Sequence, residues 1–164
     1  MDIKLRDDGS YYKTLKDKVH SISYNKGVQV NVFAVELMRL ARLVGLNGPG
    51  MFAQAWHETG GFGSDKWKKQ KNPAGIKRGD GVGYQTYVNG VDAARAMVVH
   101  MAAYVPPRNI AILDNYLYLD GRYEMAKRIN QGMQYSTFDD LTGRWAIDPE
   151  YGKLVTKVYH ELYG

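Results

Sequence analysis

AQAWHETGGF, residues 53–62, is the most informative stretch of this 164-residue chain. It has the make-up of an amphipathic helix running into a glycine pair, with one carboxylate, Glu58, in the last helical turn. The C-terminal end of a helix carries partial negative charge and favours cations, so a glutamate there is electrostatically misplaced. Ala55, Gln54 and Met51, at i−3, i−4 and i−7, share its face and give it no positive partner. Such surroundings raise a carboxyl pKa. An acid still protonated near neutral pH can protonate a leaving oxygen. On position alone a solvated surface glutamate is the commoner reading. Gly60-Gly61 shifts the balance, because one glycine suffices to end a helix and two leave room for a ligand to approach the backbone.

Working outward, Val30, Phe33, Ala34, Leu37, Leu40, Ala41 and Val44 fall on one stripe and predict a helix over 30–44. Asn47-Gly48-Pro49 starts the helix that carries Glu58. Residues 60–90 are glycine-rich, and Tyr84-Gln85-Thr86-Tyr87-Val88 reads as a short hairpin-like strand lining a cleft. A third helix is expected over 91–104, stopped by Pro106-Pro107, with shorter pieces at 111–117 and 122–129. Asp148-Pro149 supplies an N-cap and first-turn pair for a last helix with Tyr151, Leu154, Val155, Val158 and Leu162 on its apolar stripe. Residues 1–26 are polar and weakly periodic, and read as an arm packed on a core over 30–162. The expectation is one domain over 1–164, mostly α with a small β-like lobe.

Composition narrows the chemistry. Hydrophobic residues make up 45% and charged ones 24%, and no run reaches the roughly 18 apolar residues of a membrane span. The absence of cysteine excludes disulfides, thiol nucleophiles and cysteine-ligated zinc. The net charge of +5 suits an anionic polymer, and Lys66-Trp67-Lys68-Lys69-Gln70-Lys71 reads as a solvated loop that a wall polymer could meet. No helix carries the clustered basic face of a nucleic-acid reader. His57-Glu58 begins like a zinc-hydrolase helix, but the second ligand position is Gly61 and the other histidines are scattered. Serine-elbow and phosphate-loop patterns are absent too. No metal or cofactor is expected, and His100 reads as a satisfied histidine in the third helix.

Three stretches in order then resemble one family. AQAWHETGGF is similar to the AQ-(small)-x-x-E-(T/S)-G signature of glycoside hydrolase family 73, the bacterial and phage endo-β-N-acetylglucosaminidases that cut peptidoglycan. Residues 72–77, NPAGIK, resemble its N-(L/F)-(F/A)-G-I motif, and residues 145–151, WAIDPEY, its (Y/W)-A-x-D-P-x-Y block. The resemblance covers about residues 30–162. It implies a lysozyme-like fold with a shortened β-lobe, a bacterial peptidoglycan substrate, and Glu58 as general acid. Asp80, the only acid between Ile76 and Tyr87, is the candidate second catalytic carboxylate, an Asp-Gly turn being an equal reading. Substrate assistance by the sugar's N-acetyl oxygen would dispense with it. Gln54, Asn72, Tyr84, Tyr87 and Trp145 are the candidate substrate-binding residues, Trp145 standing where many members carry tyrosine.

Two alternatives stay open: a muramidase or lytic transglycosylase on the same fold, and a wall-binding or virion module without turnover. The residues before the first helix have no apolar core of a signal peptide, so the expectation is a phage-type protein made in the host cytoplasm and brought to the wall by other means. It is expected to act as a monomer, without a nucleic-acid or membrane partner.

Overall fold

The stripe from Val30 to Val44 forms the central helix of the molecule. The computed structural model describes residues 2–164. Its first two helices are α1 (Ser10–Tyr24) and α2 (Val28–Leu43), and every residue of the stripe is buried. After it come α3 (Gly48–Glu58), α4 (Asp65–Gln70) and α5 (Gly90–Ala102). A 3₁₀ segment at Ile110–Leu119, α6 (Tyr123–Ile129), a second 3₁₀ segment at Phe138–Leu141 and α7 (Tyr151–Tyr163) complete the chain. The expected mostly helical class is what the fold shows.

α5 crosses α2 closely: a Cβ on Gly90 would lie 2.2 Å from the Gln29 carbonyl oxygen. Asn47 caps α3 by accepting from the Gly50 N–H, and Pro49 stands in its first turn. The body of α3, Gly48 to Ala55, is buried, while Trp56, His57 and Glu58 emerge half-buried. The acid is therefore held at the surface end of a helix rooted in the core.

Of residues 1–26, expected as an arm packed on the core, Met1 lies outside the described residues. Most of the segment is α1, packed on α2 and α3. Its buried residues are only Leu15, Val19 and Ser23, a stripe one residue wide that weakens the periodic signal. Before it, Ile3–Asp7 runs extended as a seam between two distant parts of the chain. Leu5 donates its N–H to Ser136 O at 2.9 Å and accepts from Asn47 N at 2.9 Å, and Ile3 O accepts from Phe138 N at 2.9 Å.

Three further expectations are corrected. The lysine run is helical, forming α4, and Trp67 faces the core against Phe33 and Phe62 at 5.4 and 5.0 Å between ring centres. The hairpin-like strand is absent: among the described residues the lobe pairs only through an isolated Lys77–Tyr84 bridge. Gly79, Gly81 and Gly83 break the ladder, and Val88 is solvent-exposed with no face to bury. α7 starts at Tyr151, two residues past Pro149, because Asp148 closes a preceding turn by accepting from the Glu150 N–H at 2.8 Å.

Candidate active site

Glu58 is half-buried at the end of α3, and burial pushes its carboxyl pKa up. The Lys66 ammonium from α4 pulls the other way without reversing the direction. Thr59 fixes the turn: its hydroxyl donates to Ala55 O at 2.7 Å and accepts from Phe62 N at 2.9 Å. Gly60, Gly61 and Phe62 then have φ of 57°, 68° and 65°. The left-handed path accounts for both glycines, so the second is a backbone requirement rather than a sign of ligand access. Phe62 tolerates its conformation because its ring is seated among Phe33, Phe52, Trp56 and Trp67.

The loop 72–76 faces the acid. Asn72 is fully buried and folds this loop around its own amide. Its Nδ2 donates to Ile76 O and Gln85 O, both at 2.8 Å, and its Oδ1 accepts from Ala74 N and Ile76 N. Asn72 has no surface for a sugar; it shapes the loop. The product of that shape is Gly75, with φ of 67°, against which the acid rests. A Cβ there would lie 3.0 Å from Glu58 Oε2, 3.8 Å from Lys66 Nζ and 3.9 Å from Tyr84 Cε1. Glu58, Lys66, Gly75 and Tyr84 thus converge at one point. Lys66 Nζ also lies 4.6 Å from the centre of the Tyr84 ring, and Tyr84 is partly exposed, as a cleft aromatic must be.

Gln54 and Tyr87 are corrected in the same way as Asn72. Gln54 is buried and donates to the Tyr151 hydroxyl at 2.9 Å. Burial pushes the Tyr151 pKa well up, and the Glu58 charge adds to it, so the phenol stays neutral beside the acid. Tyr87 is buried with its hydroxyl on Leu119 O at 2.9 Å. Both residues build the scaffold. Tyr151, missed as a site residue, was present in the sequence as the last position of the WAIDPEY block.

Asp80 is engaged within its own turn. Its side chain is half exposed, pairs with Arg78 Nη2 at 2.9 Å, and accepts from Val82 N at 2.8 Å. These are the contacts of a turn residue. Among the described residues, the charge acting on the Glu58 carboxyl is that of Lys66 and not of a second carboxylate.

Past Gly75 the surface opens into a groove of about 330 Å³. Trp145 forms part of its wall, with Nε1 donating to Ala74 O at 3.2 Å and its ring 5.0 Å from Tyr104. His100 also lines the groove, its ring 4.7 Å from that of Trp145 and its Nδ1 2.6 Å from Oδ2 of the buried Asp120. His100 is satisfied, as the sequence suggested, and it faces the groove as well. Nothing local in the sequence announces Asp120 as its partner. A larger depression of about 870 Å³, between the N-terminal seam and residues 133–136, holds none of these residues.

No curated protein and no solved structure matches this chain. A family model does: Glucosaminidase, described as mannosyl-glycoprotein endo-beta-N-acetylglucosaminidase, over residues 34–164. That span includes Glu58, the Asn72 loop and the Trp145–Tyr151 block. With a carboxyl pushed up by burial set against Gly75 and the match running over most of its length, the chain belongs to the glucosaminidase family of glycosidases.

Proposed function

We propose that this enzyme cuts the glycan strand of bacterial peptidoglycan after N-acetylglucosamine, with Glu58 as the general acid. The observation that carries this reading is the Glu58 carboxyl, pushed up by burial and set against Gly75, which itself lines the groove walled by Trp145. In the proposed step Glu58 gives its proton to the glycosidic oxygen. The C1–O bond breaks with its electron pair passing to that oxygen, which leaves as an alcohol. The carbonyl oxygen of the N-acetyl group attacks C1, and water then opens the cyclic intermediate and regenerates the sugar. Glu58, now ionised, takes the proton from that water.

Substrate assistance is favoured over a two-carboxylate mechanism because Asp80 is engaged by Arg78 and by its own turn. A single carboxyl of raised pKa also suits a lytic transglycosylase, which is the second reading. Mass spectrometry of fragments released from purified sacculi separates them. Reducing-end N-acetylglucosamine supports the proposal, whereas reducing-end N-acetylmuramic acid or its 1,6-anhydro form replaces it with a muramidase or a transglycosylase. On the same sacculi Glu58→Gln is expected to lower the rate by roughly 10²-fold or more, and Asp80→Asn by less than about tenfold. A loss for Asp80→Asn as deep as that for Glu58→Gln would restore the two-carboxylate mechanism.

A further inference from the structure

We propose that the groove beside Trp145 binds a carboxylate carried by the glycan strand, through Lys77, Arg122 and Arg144. This rests on the reading of the substrate as peptidoglycan, whose muramic acid bears a lactyl ether and, on it, an acidic peptide.

All three cations line the groove, and none is paired with a carboxylate among the described residues. Neighbouring Arg78, by contrast, is neutralised by Asp80 at 2.9 Å. Arg122 Nη2 rests 3.1 Å from the Met125 thioether, a contact that leaves its charge uncompensated. Asp120, behind the wall, is not open to a ligand: its side chain is fully buried, with Oδ2 on His100 and Oδ1 accepting the Arg122 backbone N–H at 3.0 Å. The lining of the groove therefore carries three cations and no carboxylate. Guanidinium groups match the planar fork of a carboxylate, and like charges gathered in one concavity are relieved when an anion enters.

The second feature is the wall. Trp145, braced edge-on by His100 and tilted against the buried Tyr104, offers a fixed, partly exposed ring against which a pyranose can lie while its substituent reaches the cations. Gly75 contributes to the groove on one side and contacts Glu58 on the other. A sugar on the aromatic wall thus neighbours the ring whose bond Glu58 protonates. An uncharged chitobiose core, such as a glycoprotein presents, would leave the three cations unanswered. The groove is in this way a specificity device for acidic glycan.

The test uses soluble glycan fragments titrated calorimetrically into Glu58→Gln protein, which stops turnover during the measurement. Fragments are compared intact, with every carboxylate amidated, and with the peptides removed but the lactyl carboxylate kept. Amidation is expected to weaken binding about tenfold, and adding Arg122→Gln and Arg144→Gln should abolish that difference. Lys13→Gln on α1, which lines no part of the groove, should preserve it. Retained affinity in the peptide-free fragments assigns the contact to the lactyl group, and loss equal to amidation assigns it to the peptide. The proposal fails if intact and amidated fragments bind alike, or if Lys13→Gln flattens the difference as the arginine changes do. The bond cut is read separately from released fragments, so an error there does not masquerade as failure of the groove.

Discussion

The pKa of Glu58 links catalysis to stability with a definite sign. Its folded value lies above the ordinary 4.5, so across the interval between them the native state holds the proton more firmly than the unfolded chain. The stabilisation is complete below about 4.5 and is lost as pH rises through the folded value. Glu58→Gln removes the titration. Melting temperatures of parent and variant should therefore diverge as pH rises through that interval, the inactive variant being the more stable near neutrality. Parallel curves would show that the carboxyl does not titrate abnormally. The setting of Glu58 was legible because its signals are local: a helix end, a glycine turn and its own i−4 face. Gln54, Asn72 and Tyr87 were read as sugar contacts, but all three are buried. Their burial depends on Tyr151, Gln85 and Leu119, which are distant in sequence.

At the level of elements, close approach between α7 and the preceding 3₁₀ segment holds Tyr151 beside the acid. A Cβ on Gly152 would lie 2.4 Å from Asp139 Cα and 2.9 Å from Thr142 Oγ1, and the Gly152 N–H already donates to that hydroxyl at 2.9 Å. Backbone cannot yield as a flexible side chain can. Gly152→Ala is expected to cost about 3 kcal/mol or more in denaturant unfolding, at or above the upper end of ordinary overpacking. It should also lower activity through displacement of Tyr151. A variant with parental stability would mean that α7 can slide freely. The broad stripe of α2 was readable, while the narrow one of α1 was not. The β-like lobe was overread for a related reason: Tyr84 to Val88 has strand-like residues, yet no partner strand receives them.

For the whole molecule, the matched family region starts at residue 34, but the fold does not. Ile3, Leu5, Leu15 and Val19 are buried contributions from the segment before it. Each is worth roughly 1.5–3 kcal/mol, and together they are comparable with the roughly 5–15 kcal/mol that stabilises a typical domain. Removal of residues 2–26 should therefore give a chain without a cooperative thermal transition, and a sharp transition near the parental temperature would contradict this. The Ile3–Asp7 seam has one more consequence, in time rather than space. Its partners at Ser136 and Phe138 leave the ribosome well over a hundred residues later, a delay of roughly 7–27 seconds at roughly 5–20 residues per second. Until then Ile3 O and Leu5 N wait for these partners, although Leu5 O can already meet Asn47 N, so the seam closes in two steps separated in time.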